Sequence, residues 1–296
     1  MAKWFLGVDA GGTQCRARLT DRGGTIVGTG LAGPANTRIG MEALHARLDD
    51  VIGQAFAAAG LGEQARADTA IGLGIAGLSR PGAREALQGF SFGVERVVLG
   101  SDAAIANIGA HRGCDGGTLI LGTGSIAQLR VHGTDFAIGG YGFPISDEGS
   151  GAALGLSAMR HTLRALDGRT ARTPLALAIA AHFGQAVAQA VAWMDRATPA
   201  DYAALAPIVI QHAEADDAIA RSIVEDAAGH VERFIETMFE RGAPSCALLG
   251  GLAPHLQPWL RARTVARLSP AQGDALDGAL LMAGLAADDE GTGAHA

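Results

Sequence analysis

The segment WFLGVDAGGTQCRARLT, residues 4–20, joins a short apolar run to a stretch of alternating residues through a pair of glycines. The run Trp4–Val8 predicts a buried strand, and the alternation over 14–20 predicts a second strand with one buried face. A further glycine turn leads into a third predicted strand at 25–30. The chain therefore opens with a predicted β-meander, and Asp9 lies where its first strand ends.

The turn after the first strand carries groups that suit a phosphate. Gly11 and Gly12 allow backbone N–H groups to approach an anion closely, and Thr13 adds a hydroxyl. Asp9 could hold Mg²⁺ directly or through water, because Mg²⁺ prefers few carboxylates together with waters and phosphate oxygens. An ordinary hairpin with an acidic turn residue explains the same four positions, so this segment alone leaves both interpretations open.

The same arrangement recurs in the second half of the chain. Strands are predicted at 117–121 and 125–131, and the turn between them is formed by Gly122, Thr123, Gly124 and Ser125. Two such turns in equivalent places of two repeated halves predict hairpins that face each other across a cleft and hold a phosphate chain from both sides.

The order of the elements predicts an α/β fold with two domains. Strands and helices alternate after the meander, and the two halves are weak internal repeats of one plan. The polar, glycine-rich segment Arg112–Gly116 separates them. We therefore predict an N-terminal domain over 1–112 and a C-terminal domain over 113–296, with a helical insert at about 151–241.

Asp102 lies between a predicted strand at 94–99 and a predicted helix at 103–110. An aspartate in this place commonly caps the N-terminus of a helix. The same place is the C-terminal edge of a sheet, where open α/β sheets bind ligands and where a carboxylate suits a general base. The sequence alone leaves both roles open.

The segment GGYGFPISDEGSG, residues 139–151, contains five glycines, a proline and the carboxylates of Asp147 and Glu148. Acidic residues before a helix are routine. So many glycines are nevertheless costly to order in a simple linker, and we interpret the segment as a binding loop.

A third glycine pair, Gly250 and Gly251, ends a predicted strand at 245–249. A flat ligand such as an adenine ring could lie against this backbone, and a tight strand-to-helix turn is the alternative. The remaining predicted elements are a helix at 252–260, a strand at 264–268 and a helix at 274–287 that is free to pack back on the N-terminal domain.

The composition disfavours several classes of protein. The 296 residues carry a net charge of −7 and no arginine cluster, which disfavours nucleic acid as a partner. The single lysine, Lys3, precedes every glycine loop, so neither a Walker-A loop nor protein-kinase chemistry fits. The cysteines and histidines lack metal-ligand spacing, which favours reduced thiols and no zinc site. The uncharged stretch 173–194 contains proline and glutamines, and we interpret it as core helices rather than a membrane span.

Taken in order, five motifs resemble those of the BadF/BadG/BcrA/BcrD ATPase family, and the resemblance covers essentially the whole chain. The motifs are Gly7–Thr13, Asp102, Gly122–Ser125, Asp147–Gly151 and the pair Gly250 and Gly251. Within the family, the run FPISD at 143–147 followed by GSG at 149–151 is similar to bacterial glucosamine kinases.

The resemblance implies two ribonuclease-H-like domains around a central cleft, as in sugar kinases, Hsp70 and actin, with MgATP and an amino sugar between them. It implies that Asp9 organises Mg²⁺ and that Asp102 takes the proton from the sugar 6-hydroxyl. The implied nucleotide-binding residues are Gly11, Gly12, Thr13, Gly122, Thr123, Gly124, Ser125, Gly250 and Gly251. The implied sugar-binding residues are Asn36, Asp102, Gly140 and Asp147.

We therefore expect a cytoplasmic, homodimeric kinase that uses ATP to convert glucosamine to glucosamine 6-phosphate. N-acetylglucosamine kinases of the family usually carry Gly-Trp-Gly before the Asp-Glu pair. Tyr141 and Phe143–Pro144 stand there instead, which favours the free amine.

An N-acetylglucosamine kinase stays open as an alternative. So does an ATPase activator of a radical dehydratase, although the cysteine spacing does not suit an iron–sulfur cluster. A sugar-sensing repressor would need a DNA-binding extension, and the first motif begins within a few residues of Met1.

Overall fold

The computed structural model describes residues 2–184 and 186–286. The strands are β1 Trp4–Ala10, β2 Cys15–Thr20, β3 Ile26–Ala32, β4 Thr69–Ile75, β5 Arg96–Gly100, β6 Gly116–Leu121, β7 Ser125–Val131, β8 Thr134–Gly139 and β9 Cys246–Leu249. The α-helices are α1 Met41–Ala58, α2 Glu63–Ala67, α3 Ala83–Gln88, α4 Asp102–Ala110, α5 Gly151–Leu166, α6 Pro174–His182, α7 Val187–Met194, α8 Pro199–Ala203, α9 Ala206–Glu214, α10 Ala218–Glu240, α11 Ala253–Leu256, α12 Ala262–Val265 and α13 Ala275–Ala283. Short 3-10 helices lie at Thr37–Ile39 and Gln257–Trp259.

The described residues divide into two compact units. The first contains those within Met1–Gly116 and Pro270–Ala296, and the second is Gly117–Ser269. The sheet of the first unit has the order β3-β2-β1-β4-β5. Strands β1, β2 and β3 pair antiparallel in sequence, whereas β1, β4 and β5 run parallel. The predicted β-meander is confirmed, and the carboxyl ends of three parallel strands meet at one edge of this sheet.

The core of the first unit fixes the strand that leads to Asp9. Apolar residues alternate on the strands and recur at helical spacing on α1, so Leu6, Leu19, Leu48 and Ile52 are fully buried in one cluster. Each side chain of this size contributes about 1.5–3 kcal/mol when it is removed from water.

The last helix, α13, packs in the first unit. A Cβ on Gly72 of β4 would lie 2.0 Å from the carbonyl oxygen of Ala279, and one on Gly109 of α4 would lie 1.9 Å from that of Asp274. The domain expected over 113–296 therefore differs from the second unit, because the chain returns to the first unit after Ser269. The predicted helix extended to residue 287, which lies outside the described residues, as does the rest of the range to 296.

The sheet of the second unit has the order β8-β7-β6-β9, with β7 and β8 antiparallel and β6 and β9 parallel. Strands β8, β7, β6 and β9 thus occupy the same relative places as β3, β2, β1 and β4 in the first unit. Both units thus have the ribonuclease-H-like plan, and the predicted α/β fold class is confirmed. Strand β8 was not predicted from the sequence, because most of its residues are exposed and the segment lacks a regular alternation of apolar and polar residues.

The prediction of a strand at 264–268 is wrong. Helix α12 occupies its start, and Leu268 alone reaches the sheet, through an isolated bridge to Cys246. The physical reason is Glu232 of α10, which is 5% exposed. Its Oε1 accepts hydrogen bonds from the backbone N–H of Arg261 at 2.7 Å and from Oγ1 of Thr264 at 3.1 Å, which holds the segment as a helical turn.

The helical region between β8 and β9 contains α5 to α10. Helix α6 buries Leu175 and Ile179, as expected for a core helix, whereas α7 buries Ala190 alone and leaves Met194 exposed. The prediction of core helices over 173–194 thus holds for the first of the two. Among the described residues, no single helix has the length and apolarity to cross a membrane, and the bent pair α6 and α7 meets that test by length and composition only.

Candidate active site

Asp9 lies near the carboxyl end of β1, directly opposite Arg16 in the register with β2. Its Oδ2 accepts a 2.6 Å hydrogen bond from Nη2 of Arg16, and its side chain is 18% exposed. Its Oδ1 accepts no hydrogen bond from a described residue, so one oxygen is available to a ligand. The alternation of β2 placed Arg16 on its polar face, but a strand pattern does not reveal which residue lies across from it.

The turn after β1 is closed by a 3.0 Å hydrogen bond from the N–H of Gly11 to the carbonyl oxygen of Gln14. Gly12 and Thr13 are exposed at its tip, and their N–H groups meet no carbonyl oxygen within the described ranges. A Cβ on Gly12 would have no neighbour within 4 Å. Two backbone donors and a hydroxyl are therefore open to an anion.

Asp102 is the first residue of α4, and Ser101 is its N-cap. Oγ of Ser101 accepts a 3.0 Å hydrogen bond from the N–H of Ala104, so the interpretation of Asp102 as the N-cap is wrong. Burial raises the pKa of the Asp102 carboxyl, a 2.9 Å hydrogen bond from the N–H of Ala103 opposes that shift, and the negative charge of Asp9 adds to it. A carboxylate with a raised pKa at the edge of a sheet suits a general base.

Asn36 reaches the same edge through a parallel bridge to Ala76, which follows β4. Its Oδ1 accepts a 2.9 Å hydrogen bond from the N–H of Arg38, which leaves its Nδ2 to donate to a ligand. The N–H of Ala35 donates to the carbonyl oxygen of Gly11 at 3.0 Å and fastens this segment to the first glycine turn. The first unit thus holds this asparagine and the two aspartates at one edge of its sheet.

The equivalent turn of the second unit is closed by a 2.9 Å hydrogen bond from the N–H of Gly122 to the carbonyl oxygen of Gly124. Thr123 is exposed at its tip. Ser125, which is expected to line a phosphate, is 2% exposed, and its Oγ donates to the carbonyl oxygen of Glu148 at 2.7 Å. Ser125 therefore joins the turn to the loop at 139–151, and Thr123 supplies the open hydroxyl.

Asp147 lies against this turn, since a Cβ on Gly124 would be 2.9 Å from its Oδ2. Helix α5 is capped by Ser150, whose Oγ accepts a 3.2 Å hydrogen bond from the N–H of Ala153. The Asp147 carboxylate is thus not the N-cap of α5. The structure brings two motifs together that are more than twenty residues apart in the sequence.

Gly140 and Glu148 face other neighbours. A Cβ on Gly140 would be 2.8 Å from Cδ1 of Ile126, so this glycine packs against β7. Glu148 accepts a 3.3 Å hydrogen bond from Oγ of Ser146 and lines a cavity of about 160 Å³ between the loop, α5 and α10. The lining of this cavity includes no residue of the second glycine turn. Glu148 therefore faces this cavity, whereas the adjacent Asp147 contacts the turn.

Gly250 and Gly251 follow β9 at the end where its parallel neighbour β6 also ends. Gly250 has a φ of 91°, and a Cβ there would lie 2.2 Å from the carbonyl oxygen of Leu121, so only glycine fits this turn. A Cβ on Gly251 would have no neighbour within 4 Å, which leaves its backbone open to a flat ligand. The second unit therefore holds this pair, the second glycine turn and Asp147 at one edge.

Comparison with known families gives a match to the model described as the BadF/BadG/BcrA/BcrD ATPase family over residues 6–283. The glucosamine kinase of Vibrio cholerae is 35% identical over 281 residues, which are 95% of this chain and 96% of that protein. All five motifs singled out above fall inside both the matched range and the described residues.

Solved structures show the same architecture. The structure of a candidate N-acetylglucosamine kinase from Chromobacterium violaceum superposes on this chain with a TM-score of 0.87 at 34% identity. The match covers 95% of this chain and 99% of the other. The ROK hexokinase from Thermus thermophilus gives a TM-score of 0.57 at 18% identity over 94% of this chain and 98% of its own, a likeness of fold alone.

Proposed function

This chain belongs to the BadF/BadG/BcrA/BcrD ATPase family, and on that premise we propose that it is a kinase that transfers the terminal phosphoryl group of ATP to glucosamine. The observation that carries the proposal is the setting of Asp102. Its pKa is raised, it lies at the carboxyl edge of the sheet, and Ser101 performs the capping that would otherwise occupy its carboxylate.

Asp102 accepts the proton of the sugar 6-hydroxyl as that oxygen attacks the terminal phosphorus. The new O–P bond forms while the bond from this phosphorus to the bridging oxygen breaks, and ADP leaves with the electron pair. Phosphoryl transfer depends on positioning and charge neutralisation more than on covalent catalysis, so a single base together with backbone donors suffices.

The two glycine turns hold the phosphates in this proposal. The N–H groups of Gly12 and Thr13 and the hydroxyls of Thr13 and Thr123 are open donors on these turns. Ser125 keeps the second turn in shape through its bond to the loop. Gly250 and Gly251 lie against the adenosine, because their backbone offers a surface free of side chains.

Asp9 fits the role of a magnesium-organising carboxylate because its Oδ1 is open at the end of a rigid strand. Within the described ranges, no three His, Cys, Asp or Glu side chains are grouped so as to hold a metal ion. Mg²⁺ requires only one or two protein carboxylates when phosphates and water complete its shell. When bound, it would neutralise charge on the phosphates during transfer.

The sugar is recognised by Asn36 and Asp147, which offer an amide donor and a carboxylate acceptor. The loop favours the free amine over the acetamide. Phe143 packs inward, with its ring 5.0 Å from that of Tyr202, and residues 139–151 contain no tryptophan. The carboxylates of Asp102 and Asp147 favour an ammonium group electrostatically.

N-acetylglucosamine kinase is the second candidate, favoured by the TM-score of 0.87 to the Chromobacterium violaceum structure. A coupled ADP-release assay across hexoses, amino sugars and N-acetylated sugars separates the two. Preferential turnover of glucosamine supports the proposal, preference for N-acetylglucosamine establishes the second candidate, and turnover of no sugar overturns both.

We place the enzyme in the cytoplasm, where its nucleotide is abundant, and we propose that it works as a homodimer. Analytical ultracentrifugation at micromolar concentration tests the oligomeric state, and a single species with the mass of one 30.0 kDa chain overturns the dimer.

A further inference from the structure

Arg16 stands out among the charged residues of the first unit because it contacts the carboxylate assigned to magnesium. The register of β1 and β2 sets it across from Asp9, and its Nη2 lies 2.6 Å from Oδ2 of that residue. We propose that Arg16 is the positioning residue of Asp9: it holds Oδ2 and leaves Oδ1 for the metal. The inference rests on the proposed function, since it assumes a magnesium-dependent nucleotide site.

The geometry of Arg16 differs from that of an arginine that serves stability alone. Arg18, two residues further along the same face of β2, bonds through Nη1 and Nη2 to the carboxylates of Asp274 and Asp277 at 2.5–3.2 Å. Arg16 uses one terminal nitrogen, and its Nε is buried without an acceptor among the described residues. A buried donor without a partner costs about 1–3 kcal/mol, so stability alone does not favour this arrangement.

Charge gives a second reason for a cation in this place. The site brings two aspartates to one edge of the first sheet, and a triphosphate adds more negative charge. The single lysine of the chain, Lys3, is engaged elsewhere, since its Nζ lies 2.7 Å from Oδ2 of Asp68. Arg16 is a fixed positive charge that offsets this repulsion beside Asp9.

The test measures the binding of ADP at increasing Mg²⁺ concentration by titration calorimetry, with no sugar present. Partners of a metal ligand change metal affinity by about 10–100-fold when they are removed. In Arg16→Gln we expect the Mg²⁺ concentration for half-maximal binding to rise about tenfold. The matched control is Arg18→Gln, which loses more hydrogen bonds and so should lower the melting temperature while leaving the Mg²⁺ midpoint unchanged.

A double-mutant cycle establishes whether Arg16 acts through Asp9. In an Asp9→Asn background, Arg16→Gln should change the midpoint less than about twofold, because no carboxylate remains to be positioned. A full shift in that background would mean that Arg16 acts on the nucleotide directly, and this outcome overturns the proposal. An unchanged midpoint in Arg16→Gln alone overturns it as well.

Arg16→Lys keeps the positive charge but replaces the planar guanidinium with a flexible ammonium group. It therefore provides a second measurement if Arg16→Gln folds poorly. We expect its midpoint to rise at least about threefold, and an unchanged midpoint counts against positioning by geometry. Failure of the kinase assignment is visible separately. In that case no sugar would cause the protein to convert ATP to ADP, whereas the Mg²⁺ dependence of ADP binding would be unaffected.

Discussion

Replacing Asp102 with Asn removes the proposed base and preserves the local structure. The Oδ1 of the carboxylate accepts a hydrogen bond from the N–H of Ala103 at 2.9 Å, and an amide oxygen accepts that bond equally well. Ser101 continues to cap the helix in the variant. The substitution therefore removes the proton acceptor and its negative charge while it keeps the local hydrogen bonds.

The expected loss in kcat is about 10²–10⁴-fold, the usual contribution of a general base, which corresponds to about 3–5 kcal/mol of transition-state stabilisation. The melting temperature of the variant should rise or stay unchanged, although its kcat falls. Because burial raises the pKa of Asp102, its charged form opposes folding above the ordinary carboxyl pKa. At pH 7 the variant should be as stable as the parent or more stable, and the difference should vanish as the pH falls below about 4.

The pH dependence of kcat/KM gives an independent readout. A base must be deprotonated to act, so activity of the parent should fall on the acid side through the raised pKa of Asp102. The Asn variant should lack this limb. Its ATP affinity, measured by calorimetry, should stay close to that of the parent.

The matched control for this experiment is Ser101→Ala. It loses the cap hydrogen bond to Ala104 and should cost about 1 kcal/mol of stability while it keeps most of the turnover. If Asp102→Asn retains near-full turnover in the coupled ADP-release assay, the carboxylate is not the base. If Ser101→Ala loses as much kcat as Asp102→Asn, the effect is structural.

Three further outcomes are expected. Glucosamine should have a kcat/KM at least about tenfold above that of N-acetylglucosamine, roughly 1.4 kcal/mol of discrimination, and equal values in the ADP-release assay would contradict the role given to the loop. Asp9→Asn should raise the Mg²⁺ concentration for half-maximal activity, with partial recovery at high Mg²⁺, whereas superimposable metal titrations would remove Asp9 from metal binding. Glu232→Ala should lower the free energy of unfolding in urea by about 2 kcal/mol, because the N–H of Arg261 and the hydroxyl of Thr264 lose their acceptor, and a loss below about 0.5 kcal/mol would show that water replaces it.

The positions of Asp9 and Asp102 at a sheet edge could be predicted because both follow from local patterns: an apolar run that ends and a helix that begins. The capping of α4 was a harder problem. Ser101 and Asp102 are both good N-caps, and only the observed first turn of the helix separates them.

The hydrophobic periodicity of the sequence does not predict contacts between residues that are far apart in the chain. The approach of Asp147 to Gly124 and the bond from Arg16 to Asp9 depend on how loops and strands meet in three dimensions. The strand expected at 264–268 failed for the same reason, since a buried carboxylate on α10 imposes a helical turn there. Local propensity is a weak guide where tertiary contacts decide the outcome.

The return of α13 to the first unit has a consequence for the order of synthesis. The second unit is continuous, so all of Gly117–Ser269 has been synthesised before the last segment of the first unit exists. A nascent chain that ends at Ser269 contains the whole sequence of the second unit, whereas its first unit still lacks helix α13, which packs against Gly72 and Gly109. Helix α4, which begins at Asp102, packs against α13, since Gly278 could carry no Cβ without approaching within 1.8 Å of the carbonyl oxygen of Ile105. Residues translated after the whole second unit thus complete the support of the helix that begins with the proposed base.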